Sequence, residues 1–379
     1  MRTIIQSVEN DPSSLIVTDE VDVPEGNSCD VLIRVNCANV SVVNILRCEG
    51  IRIMESSTVG SIRAHDIPGI EISGTIIGLS DDCVLGYQMN DAVMAYLPDG
   101  GGYSEYIITN EKNLMRAIPG LDFQQMASIP FALMSAYMLV SNVGNVQANE
   151  TVLVHDGASA VGMMMIQMLA LRGNKVYATV KKDIHLDVCR ALGAADALFI
   201  DNDKHKSFPE ELLKMSGGKM MDVIFDPFGS TYLYENLTAL GSDCRLIFYD
   251  VIPSNCGIND GYFLKKLLDK RITIINTSLQ SRDIDYRFGL IKSLIQDAYG
   301  VSALSSGQIR VIVDRSYDMS DVLVAHNNMK RGLNIGSVVL SISSSSSAID
   351  FFKSELSNMF RKEYSFIQKY KQQSTKHLK

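Results

Sequence analysis

The chain has 379 residues, 46% of them hydrophobic, and a formal net charge of −8 at pH 7. That length predicts about two domains with filled cores, and the acidic balance argues against a general affinity for nucleic acid. Seven cysteines (Cys29, Cys37, Cys48, Cys83, Cys189, Cys244, Cys256) stand without a single CxxC pair, which is neither a disulfide framework nor a structural zinc cluster and fits a reducing compartment.

The first residues, MRTIIQSVENDPSS, lack the apolar centre of a signal peptide and carry acids that a transit peptide avoids. No run of about twenty uncharged apolar residues predicts a membrane span, so the cytoplasm is the expected location. Residues 1–118 read as short strands and turns, among them DVLIRVNCANV (30–40), IEISGTIIGLS (70–80), DAVMAYL (91–97) and, after a GGG turn, YSEYIIT. This spacing predicts a β-barrel-like domain. FQQMASIPFALMSAYMLVSNVG (123–144) then has helical periodicity broken at Pro130.

The next stretch, TVLVHDGASAVGMMMIQMLALRGNKVYATVKKD (151–183), predicts strand, turn, buried helix and second strand. Gly157, Ser159 and Gly162 occupy the three glycine places of a dinucleotide-binding fingerprint: a tight turn, a close approach for pyrophosphate and a close helix–strand contact. The helix that follows presents its N-terminal amides and dipole to an anion. At the tip of the second strand, an Asp or Glu would hold the ribose 2′-hydroxyl of NAD. Here Lys181 and Lys182 stand instead, which suits the 2′-phosphate of NADP(H); the alternative is a pair of solvated surface charges.

Beyond 183 helices and strands alternate: HLDVCRALGA (185–194), MDVIFD (221–226), LYENLTAL (233–240), RLIFY (245–249) and ITIIN (272–276). Alternation of this kind predicts a doubly wound parallel sheet. A helix from about Arg282, the strand IRVIVD (309–314), a helix over 322–329 and the strand SVVLSI (337–342) then return to complete the first domain. A serine run (343–347) is a flexible spacer. After it, apolar residues recur at helical spacing, and from Phe351 onward seven Lys/Arg face two Asp/Glu. This pattern fits either a basic amphipathic helix for a partner or anionic membrane surface, or a solvated tail.

Six collinear blocks carry a resemblance: GIEISGTI, NDAVMAYLPDGGGYSEY, ASIPFALMSAY, NVGNVQANETVLVHDGASAVG, LLDKRITIINTSLQSRD and NIGSVVL. Over residues 1 to about 343 the chain resembles the zinc-free quinone oxidoreductase branch of the medium-chain dehydrogenase/reductase superfamily. The resemblance implies an α/β chain with a GroES-like β-barrel catalytic domain (1–118 and 280–342), a Rossmann NADP(H)-binding domain (119–279) and a tail (343–379). It further implies NADPH-dependent reduction of a small quinone or enone, by a homodimer paired through the strand at 272–276.

By the same resemblance Ser135 touches the nicotinamide end, and Gly157, Ser159, Ala160, Val161 and Gly162 form the pyrophosphate turn. Tyr249 and Asp250 flank the ribose, and Thr277, Ser278, Leu279 and Asn334 close over the nicotinamide. Ser41 and Asn44 stand where the family has Asn-x-x-Asp, and Arg52 where it has a Tyr near the substrate. Arg52 reads either as a contact for an anionic substrate or as a surface cation. Ile70 and Ser41 occupy the places of two zinc ligands of zinc-containing relatives, and neither is a Cys, His or carboxylate donor, so no metal is expected. Ala160 and Asp250 replace family glycines, and a carboxylate at Asp250 would repel phosphate. Two alternatives stay open: a non-catalytic binding protein of the same fold, and an enoyl-thioester reductase. The latter needs an acid such as Tyr103 near the substrate.

Overall fold

The computed structural model describes residues 1–24, 26, 28–51, 67–200, 208–250 and 261–342. The chain divides into two units, Met1–Ile342 and Ser343–Lys379; the spacer and basic tail of the second lie outside the described residues, as does Arg52.

The chain opens with β1 (Thr3–Gln6) and β2 (Leu15–Thr18), followed by β3 (Asp30–Val40), helix α1 (Val42–Cys48), β4 (Glu71–Leu79), β5 (Ala92–Tyr96), β6 (Tyr106–Asn110) and β7 (Leu114–Arg116). Two helices follow, α2 (Phe123–Ala127) and α3 (Pro130–Tyr137). Proline at the first position of α3 costs no hydrogen bond, so the residue that breaks the sequence periodicity starts a new helix. Then come β8 (Thr151–Val154), α4 (Ala160–Leu171), β9 (Lys175–Val180), α5 (Leu186–Ala191), β10 (Asp196–Phe199) and α6 (Phe208–Met215). The chain continues through β11 (Met221–Asp226), α7 (Leu233–Ala239), β12 (Leu240–Tyr249), α8 (Gly261–Lys270), β13 (Thr273–Thr277), α9 (Ile284–Gln296) and α10 (Val301–Ser305). It ends with β14 (Val313–Asp318), α11 (Val322–Arg331) and β15 (Ser337–Ser341).

Two large sheets result. One runs β10-β9-β8-β11-β12-β13 and is parallel throughout, the doubly wound order expected for alternating strands and helices. The other runs β14-β15-β3-β4-β5-β7, with β6 also paired to β3, so strands from both ends of the chain share one sheet. A single apolar cluster, including Leu133, Met134, Met165, Ile166, Phe225 and Leu290, packs α3, α4 and α9 against the parallel sheet and reaches Met94 and Tyr96 of β5.

The strand expected at 309–314 is corrected by the structure: β14 begins only at Val313. Ile309 is buried in the core beside the parallel sheet, with Val311 and Ile312 against it. The backbone there is tied to a side chain, since the Arg310 amide donates to Gln167 Oε1 at 2.8 Å and Gln167 Nε2 donates back to the Arg310 carbonyl at 3.1 Å. Its apolar run serves the crossing between the two sheets.

Candidate functional site

The turn after β8 is built on close approach. His155 extends the strand, its amide donating to the Phe225 carbonyl at 3.0 Å, and Asp156 takes a left-handed conformation (φ 55). The Gly157 amide then reaches across to the Thr179 carbonyl of β9 at 2.9 Å. A Cβ at Gly157 would meet Ala178 Cβ at 2.7 Å, and one at Gly162 would meet the Asp156 carbonyl oxygen at 2.4 Å. Both positions therefore require glycine, one for the bend and one for seating α4 upon it.

Ser159, at the middle place, is the N-cap of α4: its hydroxyl accepts from the Gly162 amide at 3.0 Å. Ala160 and Val161 head the first turn, whose amides have no acceptor within the helix. Asp156 is half-buried; burial pushes its carboxyl up, while Lys181, His185 and His155 pull the other way. At the tip of β9, Lys181 and Lys182 are both exposed. The Lys181 ammonium sits 4.0 Å above the centre of the Phe228 ring.

At the end of β12, Tyr249 is 4% exposed and its hydroxyl has no partner. Asp250 follows in a left-handed conformation (φ 49), which accounts for glycine in the family at this place. Its amide donates to the Thr277 carbonyl at 3.3 Å and its Oδ1 accepts from the Ser278 hydroxyl at 2.5 Å. Burial raises the Asp250 carboxyl to about 6 against the opposing pull of that bond. The carboxylate is thus turned toward β13 and partly neutralised.

Thr277 Oγ1 accepts from Arg282 Nη2 at 3.2 Å, Leu279 is buried, and Asn334 Nδ2 donates to the Gly336 carbonyl at 2.6 Å. Ser135, on α3, is fully buried with an unpartnered hydroxyl. An orphaned buried hydroxyl, a turn in which any added Cβ collides, and unspent helix amides together fit a nicotinamide dinucleotide.

The acceptor-side residues are placed differently. Ser41 caps α1 through the Asn44 amide, at 3.3 Å. Asn44 is 1% exposed, and its side-chain amide donates to the Asn39 carbonyl and the Tyr103 hydroxyl, both at 3.1 Å. Tyr103 is fully buried, with its hydroxyl also 3.2 Å from His326 Nε2. Its expected availability as a proton donor is therefore corrected: the phenol lies inside the barrel, and burial raises it well above its usual value.

One residue escaped the sequence reading. Glu71, 1% exposed, accepts from the Phe131 amide at the head of α3 (2.7 Å) and from Asn39 Nδ2 (2.6 Å). Burial outweighs both bonds and raises its carboxyl to about 7. An acid at the start of an otherwise uncharged strand, EISGTIIGL, was the available signal. A separate hollow is lined by Ser141, Arg172, Asp297 and Tyr299.

A zinc-binding dehydrogenase family model matches residues 160–293. The quinone oxidoreductase of Homo sapiens is 23% identical over 321 residues, covering 85% of this chain and 91% of the relative. Over most of its length the chain is thus similar to quinone oxidoreductases, and it shares the two-domain fold of the dehydrogenases it superposes on. A family of this kind uses a nicotinamide cofactor. Highly-reducing polyketide synthase 1 of Aureobasidium melanogenum is 25% identical over 306 residues, covering 79% of this chain. The chain spans only 13% of that synthase's length, and 4 to 12% of the other synthases it matches comparably. Among solved structures, an NAD-dependent alcohol dehydrogenase superposes with a TM-score of 0.76 at 20% identity, over 90% of this chain and all of that one. Among the described residues, no group of three or more His, Cys, Asp or Glu is placed to hold a metal ion, and no helix is long and apolar enough to cross a membrane.

Proposed function

We propose that this chain is an NADPH-dependent reductase that passes hydride to a quinone or a related electron-poor small molecule, and that it works without zinc. The observation that carries the proposal is the phosphate turn, with glycine enforced at Gly157 and Gly162, leading by way of β9 to two lysines where an NAD site would have an acid. Bound there, the cofactor supplies a hydride from nicotinamide C4.

The chain's own part is binding, orientation and exclusion of water. The amides of Ala160 and Val161 hold the pyrophosphate, and Lys181 and Lys182 take the 2′-phosphate. Tyr249 and the Asp250–Ser278 pair border the ribose. Ser135, Thr277, Leu279 and Asn334 bracket the nicotinamide. With Asn44 taken up inside the barrel, Ser41 and Arg52 are the acceptor-side candidates. The protonation step then falls to solvent, since Tyr103 is enclosed. The catalytic domain is proposed as 1–118 with 280–342, the nucleotide domain as 119–279. The working particle is proposed as a cytoplasmic homodimer joined along β13, the outer strand of its sheet.

The similarity to polyketide synthases, together with the shared fold of the JamJ enoyl reductase, favours a second reading, reduction of an enoyl thioester. Titration of the purified chain with NADPH and NADH, followed by turnover of an ortho-quinone and of an enoyl-CoA in the presence of a metal chelator, tests both. Quinone reduction with NADPH that survives chelation is expected. No binding of either cofactor at millimolar concentration would end both readings, and turnover of the enoyl-CoA alone would select the second.

A further inference from the structure

Behind the two lysines lies an aromatic shelf that neither the fingerprint nor the resemblance anticipates. The His155 ring is stacked on Tyr232, with centroids 5.4 Å apart and planes at 17°. Phe228 meets Tyr232 edge-on at 5.4 Å and His155 at 6.2 Å. The backbone under Phe228 is equally fixed, because Asp226 Oδ1 accepts from the Phe228 amide at 2.5 Å and the Gly229 amide at 3.2 Å. Asp226 is in turn held by Asn236 Nδ2 at 2.6 Å, and Asn236 Oδ1 lies 2.8 Å from His155 Nε2. His155, Asp226 and Asn236 are fully buried. The half-buried Phe228 ring is therefore a rigid platform, clamped by rings on one side and by backbone hydrogen bonds below.

On the outer face of that ring sits the Lys181 ammonium, 4.0 Å from its centre. Lys181 forms no salt bridge among the described residues; the half-buried Asp156 carboxyl shares its surroundings without closing one. An exposed lysine otherwise spreads over many rotamers, and a ring face beneath the cation concentrates it in a few while leaving its protons outward.

We propose that Phe228 is a positioning residue that holds Lys181 for a 2′-phosphate and so sets the preference for a phosphorylated over an unphosphorylated adenosine ribose. The inference rests on the NADPH reading above and assigns its discrimination to a ring that need not touch the phosphate. A cation–π contact at an exposed site has a strength corresponding to roughly a two- to fivefold bias.

The test uses the whole chain and two fragments that lack nicotinamide, adenosine 2′,5′-bisphosphate and adenosine 5′-monophosphate, with binding measured by calorimetry. The wild type is expected to prefer the bisphosphate. Phe228→Leu should reduce that preference two- to fivefold, Phe228→Tyr should retain it, and Lys181→Met should remove most of it. In the Lys181→Met background, Phe228→Leu should change the preference no further, because the two act as one unit.

Equal weakening of both fragments by Phe228→Leu would make the ring an adenine contact and overturn the proposal. A rise in preference would do the same, by making Phe228 a parking place that withholds the lysine. A wild type that binds both fragments equally would sink the NADP(H) reading itself. A wild type that prefers the bisphosphate but reduces no acceptor would sink the reductase assignment alone and leave this proposal standing. Thermal melts of each variant identify one that fails to fold, and Phe228→Tyr keeps the ring with the least disturbance.

Discussion

Single atoms decide the turn after β8. A methyl added at Gly162 would lie 2.4 Å from the Asp156 carbonyl, against backbone that cannot yield without unseating α4. Gly162→Ala is therefore expected to cost about 1–3 kcal/mol in urea unfolding and to weaken NADPH binding more than a surface Gly→Ala does. Asp250 is the opposite case. Its left-handed backbone suits glycine, and its carboxyl, raised to about 6 by burial, is neutral below that pH and charged above it. Asp250→Gly should hold its cofactor affinity from pH 5 to pH 8. In the wild type, affinity for NADH, whose pyrophosphate keeps its charge throughout, should fall as pH rises through about 6, by something on the order of 1 kcal/mol or roughly fivefold in Kd. Calorimetric titrations at the two pH values check it, and a wild-type Kd independent of pH would leave Asp250 without influence on the phosphates. From sequence the Asp250 carboxylate promised plain repulsion; the hydrogen bond from Ser278 that turns it aside joins residues 28 apart and has no local signature.

At the scale of elements, the strand–turn–helix unit was legible because local chemistry dictates it. Small residues, an apolar run and a helix head lie within one stretch, and the cap at Ser159 completes them. Ser159→Ala removes the acceptor for the Gly162 amide and is expected to cost about 1 kcal/mol, read as a lower urea midpoint, whereas Ser159→Gly should cost a few tenths. If alanine and glycine prove equivalent, the hydroxyl is not acting as a cap. The 309–312 segment was misread for a complementary reason. Its apolar pattern is that of a strand, but what occupies its backbone groups is the Gln167 side chain, 143 residues away from Arg310. Periodicity reports which residues are buried and cannot tell a sheet partner from a glutamine. The burial of Asn44 and Tyr103 was hidden for a similar reason, since their mutual hydrogen bond forms only once α1 and the loop after β5 have come together.

At the scale of the molecule, Glu71 joins the two sheets. It belongs to β4 of the barrel sheet, yet its carboxyl receives the Phe131 amide at the head of α3, the helix that bears Ser135 and packs against the parallel sheet. A buried carboxyl whose value in the folded chain, about 7, lies above its ordinary 4.5 stabilises the fold fully below pH 4.5 and progressively withdraws that support as pH rises through 7. At the usual conversion the loss is on the order of 3 kcal/mol. His326 works in the reverse direction: burial lowers it to about 4, so its contribution is complete above its ordinary 6.5 and fades as pH falls through 4. The two effects separate by difference. Glu71→Gln keeps the shape and an acceptor for Phe131 but cannot ionise, so the gap between its urea midpoint and that of the wild type should move in the variant's favour from pH 5 to pH 8. His326 contributes equally to both proteins and cancels. Should the gap stay constant across that range, Glu71 titrates as an ordinary acid, and its bond to the head of α3 contributes no pH dependence to the fold.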